Sequence, residues 1–325
     1  MLRVGRRGGE LRPLCWKARI EHRGYSRAMQ RALTDFGAEE SFERAAARVK
    51  EHYRLEVPVS AIRKVTYRHA RRIQGVQAEG SPAPVATLIT QMDGSMIPLV
   101  RPGPGEDARK AKAVFWSEVR LCCARSVGQV RRQYGATLGS LESARVCWLQ
   151  TAQEAGLGPR TYVHGIGDGA PWIEEMFGNN FGDQGKYLID FYHVVQYLAA
   201  AAPKVVGPKK ALGWLRKQKG RLFLGQANKI LRTLEPHQEP EAALEKPVRD
   251  AYRYLEGRRD HLHYAQARRA GLPIGSGEVE SAHRHVIQQR LKIAGAWWRE
   301  KNAQQMLGLR VARANHAWEL YWARN

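Results

Sequence analysis

Residues 85–102 read VATLITQMDGSMIPLVRP, and this stretch decides the fold class. Apolar and β-branched residues lie on both sides of Asp93-Gly94, a dipeptide typical of tight hairpin turns. The pattern predicts a strand, a turn at Asp93-Gly94 and a returning strand, with an acidic residue at the bend. The segment AVFWSEVRLCCA, residues 113–124, predicts a third strand.

Helical and extended patterns then alternate along the chain. SLESARVCWLQTAQEAG, residues 140–156, has apolar residues at helical spacing and a glycine stop at Gly156. RTYVHGIGDGAPWI, residues 160–173, is β-rich and contains Asp168 between two glycines. This order of three strands, a helix and a strand predicts a mixed sheet whose first and fourth strands are neighbours. Asp93 and Asp168 would then meet.

Two carboxylates at the ends of neighbouring strands favour a metal site over simple turn chemistry, although one Asp beside glycines is usually a turn residue. Phosphodiester cleavage needs an activated water or hydroxyl and charge relief for the leaving oxygen, and two divalent cations provide both. Because Mg²⁺ prefers carboxylate and water oxygens, we expect a third carboxylate.

The third carboxylate has two candidates, Glu278 and Glu280, in GSGEVESAHRHVIQQRLKIAGAWW, residues 275–298. Two residues apart on a helix, they point about 200° apart, so only one of them can face a shared metal site. Glu278 in the first turn would be stabilised by the helix dipole, a contribution on the order of 0.5 kcal/mol. Spacing alone leaves the choice open.

The charge of the chain indicates a polyanionic partner. It contains 53 Lys and Arg against 31 Asp and Glu, a formal net charge of +22. Nucleic acid is favoured over an anionic membrane surface or a merely soluble basic surface. No apolar run reaches membrane-spanning length and no secretory signal is visible, so we expect a cytoplasmic, nucleoid-associated protein.

The composition changes at GVQAEGSPAPVA, residues 75–86, which contains Gly, Ser and Pro. This change predicts a linker between a helical region, residues 1–75, and a larger domain, residues 85–325. Upstream, residues 42–53 follow helical spacing, and VSAIRKVTYRHARRI predicts a second helix with Ser60 as N-cap. The two helices suit a DNA-binding helix-turn-helix, with an ordinary basic helical hairpin as the equal alternative. The predicted DNA contacts are Arg63, Lys64, Arg68, Arg71 and Arg72.

Four segments together resemble DDE transposases of bacterial insertion sequences, the Kra-type branch in particular, which is related to Mutator-like transposases. They are QMDGSMIPLV, GIGDGAPWI, IDFYHVVQYL and PIGSGEVESAHRHVIQQRLKIAGAWW. The resemblance covers about residues 40–315. It implies an α/β fold with an RNase H-like mixed-sheet core, interrupted by a helical insertion at about residues 192–270 and preceded by the small helical segment.

The resemblance also implies roles for single residues. Asp93, Asp168 and Glu280 become the catalytic ligands of two Mg²⁺ or Mn²⁺ ions. Asp190 and His193 match an Asp-x-x-His motif, and at i and i+3 on a helix they can touch, so they either support the site or form a structural pair. Further DNA contacts are expected from the last segment, where the two tryptophans either stack on an unpaired base or pack in the core. These are Arg284, Arg290, Lys292, Trp297 and Trp298.

The function implied is a DNA transposase that acts as a homo-oligomer on its element's terminal inverted repeats and on target DNA. The alternatives are a non-catalytic DNA-binding relic and a structure-selective nuclease of the same fold class. The family pattern leads us to expect a longer N-terminal region, often with cysteine ligands for a metal, and therefore a truncated copy or a misassigned start. Cys15 alone cannot form such a site, and Cys122, Cys123 and Cys147 are expected to be reduced thiols.

Overall fold

The computed structural model describes residues 2–4, 9–11, 24–73, 82–103 and 112–324. They belong to two compact units, the first made of Met1–Glu79, Met96–Ser117 and Arg284–Asn325, the second of Gly80–Ser95 and Glu118–His283. Most of the predicted linker, residues 75–81, and Cys15 lie outside the described residues. Within the described part of the chain, no helix has both the length and the apolarity needed to cross a membrane.

The described elements follow one another in a mixed α/β order. The strands are β1 (Leu2–Val4), β2 (Gly9–Leu11), β3 (Thr87–Arg101), β4 (Ala113–Ser126), β5 (Gln133–Thr137), β6 (Tyr162–Gly167) and β7 (Gly185–Ile189). The first helices are α1 (Arg27–Glu39), α2 (Phe42–Tyr53), α3 (Val59–Ile73), α4 (Leu141–Glu154), α5 (Pro171–Phe181), α6 (Phe191–Val206) and α7 (Ala211–Phe223). The remaining helices are α8 (Ala227–Leu234), α9 (Pro247–Glu256), α10 (Tyr264–Arg269), α11 (Gly277–Ala282), α12 (Gln289–Leu291), α13 (Glu300–Ala314) and α14 (Ala317–Arg324).

One mixed sheet has five strands in the order β5-β4-β3-β6-β7. β6 pairs in parallel with both β3 and β7, whereas β4 and β5 pair antiparallel. The prediction that the first and fourth strands are neighbours is therefore confirmed. The short strands β5 and β7 were not predicted.

The predicted hairpin at Asp93-Gly94 is wrong, because β3 runs unbroken through both residues. A Cβ atom at Gly94 would lie 2.3 Å from Oε1 of Glu118, which belongs to β4. A larger residue at position 94 would require the flexible end of the Glu118 side chain to move, and the glycine is not part of a turn. Asp93 consequently projects from within a strand.

The second unit is built around a core that α4 helps to form. Ser140 caps this helix by accepting a hydrogen bond from the Ser143 backbone, and the chain leaves it at Gly156, whose φ is +101°. The predicted helix and its glycine stop are confirmed. Trp148 is fully buried, and its indole nitrogen donates to Thr90 Oγ1 on β3 at 2.6 Å.

The first unit contains a helical core formed by α1, α2 and α3, with Leu33, Val49 and Ile62 fully buried. The predicted helix at Phe42 is confirmed. The second helix begins at Val59, one residue before the predicted N-cap Ser60, because the carbonyl of Pro58 accepts the first helical N–H groups. That these helices bind DNA as a helix-turn-helix stays a prediction.

Candidate active site

Asp93 lies within β3, and Asp168 directly follows the neighbouring parallel strand β6. The paired register of the two strands ends at Gln91 and Ile166, and Asp93 and Asp168 each follow that last pair by two residues. Both residues are partly exposed, and the Asp93 side chain is 30% exposed. Both aspartates are therefore near the end of the paired segment of β3 and β6, and a direct contact between them stays a prediction.

The turn that carries Asp168 is held from both sides. Its own Oδ1 accepts a hydrogen bond from the Ala170 backbone at 2.8 Å. The Tyr254 hydroxyl donates to the Asp168 carbonyl at 2.5 Å, and Arg258 Nε donates to the Gly169 carbonyl at 2.9 Å. Gly169 has φ +84°, a backbone conformation that glycine adopts without strain. Burial raises the pKa of Tyr254 well above its usual value, which keeps the hydroxyl a proton donor.

Glu280 lies on α11, and its carboxylate is open to solvent, with 53% of the side chain exposed. Oε1 lies 3.2 Å from Ser276 Oγ, whose proton is donated to Asp190, and 3.8 Å from Nε2 of His193. Most of the hydrogen-bonding capacity of this carboxylate is therefore available to a ligand.

Glu278 has the opposite environment, with its side chain 17% exposed. Arg125 donates to both of its oxygens, from Nε and from Nη2 at 2.7 Å, and Arg132 Nε donates to Oε2 at 2.7 Å. Burial raises the pKa of Glu278, but the hydrogen bonds and charges of the two arginines outweigh it, and the pKa is lower than usual. Glu278 is therefore a buried ion-pair residue, a stronger role than the helix-dipole interaction that the sequence predicts.

Gln91 connects the strand of Asp93 to the helix of Glu280, and this role was not predicted from the sequence. Its side chain is fully buried. Oε1 accepts a hydrogen bond from the Val279 backbone at 3.0 Å, and Nε2 donates to the Gly275 carbonyl at 3.4 Å. One side chain on β3 thus fixes the start of α11, only two residues before Asp93.

Asp190 is fully buried, and its carboxylate accepts four hydrogen bonds. Oδ1 caps α6 by accepting from the backbones of Tyr192 and His193, and Oδ2 accepts from both the backbone and the hydroxyl of Ser276. The predicted contact between Asp190 and the His193 ring is not seen, because the carboxylate takes the backbone N–H instead. The imidazole is left to face Glu280.

His283 is a further residue that was not predicted from the sequence, although it follows Glu280 by one helical turn. It is 4% exposed and opens the π-helical turn His283–Gln288. Nε2 lies 3.0 Å from Asp93 Oδ2, but within the described residues neither ring nitrogen has a hydrogen-bond partner of good geometry. A short π-helical turn often occurs at a functional site.

The chemistry of the three carboxylates fits a hard divalent cation, since oxygen ligands are those that Mg²⁺ prefers. Asp93, Asp168 and Glu280 are the residues that would hold such an ion. In the part of the chain that the structure describes, however, no three His, Cys, Asp or Glu side chains lie together as a metal-binding group. The Gln91 side chain connects the strand of Asp93 to the helix of Glu280, but the three carboxylates do not surround a common position.

The residues predicted to contact DNA divide into two groups. Arg290 is 3% exposed, donates to the Gly37 carbonyl at 3.1 Å, and lies 4.7 Å from the ring centre of Trp298, which is 5% exposed. Burial lowers the pKa of Arg290 to about 10. These two residues belong to the helical packing of the first unit and are not placed to reach DNA. Arg68 is half-buried, and the exposed residues are Arg63, Lys64, Arg71, Arg72, Arg284, Lys292 and Trp297.

In an assay of the DNA nicking that the resemblance implies, we expect Gln91→Leu to reduce the rate per folded molecule by on the order of 100-fold, because misplacing a catalytic group is costly even when the group is present. Thr90→Val is the matched control, since Thr90 is also fully buried on β3 and hydrogen-bonded, but to Trp148 and Cys123. Both variants should lose about 1–3 kcal/mol of unfolding free energy. Equal nicking by the two variants, measured at equal folded fraction, would contradict the role of Gln91.

Comparison with known proteins gives partial and distant likenesses. A "UPF0236 protein in vanSb 3'region" from Streptococcus gallolyticus is 28% identical over 158 residues, which is 49% of this chain and 34% of that protein. The match thus spans about a third of the length of that relative. The structure titled "Drosophila P element transposase strand transfer complex" is similar at 9% identity and TM-score 0.36, over 96% of this chain and 84% of that chain. A crystal structure of NurA with manganese is similar at 12% identity and TM-score 0.12, over 82% and 65% of the two chains.

The match to a protein family extends along most of the sequence. The sequence model of the "Uncharacterised protein family (UPF0236)" matches residues 20–319, which is well over half of the chain. The chain therefore belongs to the UPF0236 family.

Proposed function

We propose that the chain is a DDE-type DNA transposase with an RNase H-like core, which cleaves and joins the ends of an insertion sequence. The observation that carries this proposal is that Asp93 and Asp168 each follow the last paired residues of two adjacent parallel strands by two positions, with the helix of Glu280 tied to the strand of Asp93 through Gln91. The resemblance of the acidic segments to Kra-type transposases supports it. The net charge of +22 supports a DNA partner.

In this proposal Asp93, Asp168 and Glu280 would hold two Mg²⁺ or Mn²⁺ ions. Bound divalent cations would activate the attacking oxygen and offset the charge on the leaving oxygen. The chain itself supplies the positioning. Tyr254 and Arg258 restrain the Asp168 turn, and Asp190 holds Ser276 at the start of the Glu280 helix.

A non-catalytic DNA-binding protein is the second candidate, and a specific observation favours it. The described side chains do not form a group of three that could hold a metal ion. A protein of this kind would keep salt-sensitive DNA binding without any metal-dependent cleavage.

The test is a nicking and joining assay with three labelled substrates: a duplex carrying the inverted repeats that flank the gene, a scrambled duplex and a branched duplex. We expect the wild-type protein to nick and join only the first, in Mg²⁺ and not in EDTA. Cutting of branched DNA regardless of end sequence would identify a structure-selective nuclease. Binding without cleavage in either Mg²⁺ or Mn²⁺ would identify the non-catalytic protein.

A further inference from the structure

The helical segment between β7 and α11 contains a stretch with an extreme charge. Residues 191–234 include no Asp or Glu. The basic residues in this stretch are Lys204, Lys209, Lys210, Arg216, Lys217, Lys219, Arg221, Lys229 and Arg232. The stretch is therefore more basic than the chain as a whole, which contains both signs of charge.

Four of these cations define a surface that we call the α7 stripe: Lys209 and Lys210, directly before α7, and Arg216 and Lys217 within it. All four are exposed. At about 100° per residue, Arg216 lies on the side of α7 roughly opposite its buried residues, and Lys217 lies about 80° to one side of that direction. Those buried residues are Trp214, Gln218 and Leu222. The core therefore fixes the direction in which the stripe faces solvent.

The charges of the α7 stripe are not compensated. Across the described residues, none of the four cations makes an ion pair, whereas Arg253 and Arg259 elsewhere in this unit pair with Glu241 and Glu256. Arg221 shows the contrasting use of a cation in the same helix, since it donates to the Lys229 carbonyl and to Thr233. The four cations of the stripe thus create a positive electrostatic potential at the surface, and ion pairs within the described residues do not neutralise it.

Two glycines interrupt the exposed side of α7 within the stripe. Gly213 and Gly220 lie within about 20° of each other around the helix and between the directions of Arg216 and Lys217. A Cβ atom at either position would meet nothing within 4 Å. Glycine disfavours a helix interior, and internal packing does not require it at these positions. A flat backbone surface between cations instead suits a partner that approaches the helix closely.

We propose that the α7 stripe binds the sugar-phosphate backbone of duplex DNA. Gly213 and Gly220 form the flat backbone surface, called the floor, against which one DNA strand packs. The choice of DNA as the partner rests on the proposed function. Lysine and arginine side chains would reach phosphate oxygens on both sides of the floor, and this binding reads no sequence. The surface would hold DNA regardless of which end sequence is recognised elsewhere.

The first test measures DNA affinity by fluorescence anisotropy over a range of salt concentrations. In the full chain, the variant with Lys209→Gln, Lys210→Gln, Arg216→Gln and Lys217→Gln should bind duplex DNA about tenfold or more weakly. The slope of log affinity against log salt should flatten by about 0.9 for each phosphate that the variant no longer neutralises. The matched comparison is Arg216→Gln/Lys217→Gln against Arg253→Gln/Arg259→Gln, which removes the same charge from paired cations and should leave the slope unchanged.

The second test separates shape from charge. Gly213→Gln/Gly220→Gln leaves the net charge unchanged and introduces better helix formers, so circular dichroism should show the helix retained. The long side chains should nevertheless block the floor and lower DNA affinity about tenfold. Leu212→Gln, at a 63% exposed position of the same helix outside the stripe, is the control and should bind like the wild type.

An unchanged affinity and salt slope in the fourfold variant, with wild-type binding intact, would overturn the α7 stripe as a DNA surface. Tighter binding to phosphatidylserine vesicles than to duplex DNA, abolished in the same variant, would also overturn it. Both outcomes leave nicking by the wild type unaffected, whereas a wild type that binds DNA but never cleaves it would overturn the proposed catalysis and leave the stripe standing.

Discussion

Replacing Asp93 or Asp168 by Asn, or Glu280 by Gln, is expected to reduce metal-dependent nicking of DNA by on the order of 100-fold to 1,000-fold. Each substitution removes a negative charge where a cation would be held, but keeps the size of the side chain. DNA affinity should stay within about twofold, because phosphate binding depends on Lys and Arg. Nicking rates and anisotropy titrations on the same preparations measure the two effects.

The matched control for this series is Asp183→Asn, an exposed aspartate in the short turn Gly182–Gln184 of the same unit. It should nick like the wild type. If Asp93→Asn and Asp168→Asn also nick like the wild type, the proposed catalytic role is wrong. If Glu280→Gln loses DNA binding, Glu280 is a structural residue of α11.

Glu278→Gln should have the largest effect on stability, a loss of about 2–3 kcal/mol of unfolding free energy, although it is only two residues from Glu280. The neutral amide leaves Arg125 and Arg132 without their common anion in a site where the Glu278 side chain is 17% exposed. Denaturant unfolding measures the loss, and nicking per folded molecule should be nearly unchanged. Loss of nicking with unchanged stability would reassign the catalytic role to Glu278.

The same carboxylate gives a pH dependence with a definite sign. The pKa of Glu278 in the folded protein is lower than its usual value of 4.5, because the two arginines outweigh the effect of burial. Its contribution to stability is therefore present above pH 4.5 and is lost as the pH falls through the folded pKa. Unfolding curves between pH 7 and 3 should show the difference between wild type and Glu278→Gln shrink as the solution becomes more acidic.

The sequence predicted correctly those elements whose boundaries are set by residues close to them in the chain. Residues 140–156 have their own cap, apolar spacing and glycine stop, and α4 forms there. The order of strands and helix was sufficient to predict that β3 and β6 are neighbours, whereas the meeting of Asp93 and Asp168 stays a prediction. The Asp93-Gly94 dipeptide was misleading because both residues lie within β3, and turn statistics do not include the strand pairing that extends this element.

The missing parts of the candidate site depend on contacts between residues far apart in sequence. Gln91 and Val279 are separated by 188 positions, and Arg125 and Glu278 by 153. A glutamine within a strand and an arginine near a strand end look like ordinary polar residues until their partners are known. The choice between Glu278 and Glu280 follows the same logic, since spacing placed them on different sides of a helix but could not say which side the arginines occupy.

The polypeptide leaves β7 at Asp190, and Ser276, directly before α11, is hydrogen-bonded to that residue. Asp190 accepts from Ser276, and the Phe191 backbone donates to the Ile274 carbonyl at 2.9 Å. Because its two ends are bonded to each other, the segment between these residues can change in length at little entropic cost. Tyr254 and Arg258 limit this freedom, because they reach back to the Asp168 turn. A change of length between Asp190 and α9 must therefore preserve the position of α9 against the Asp168 turn.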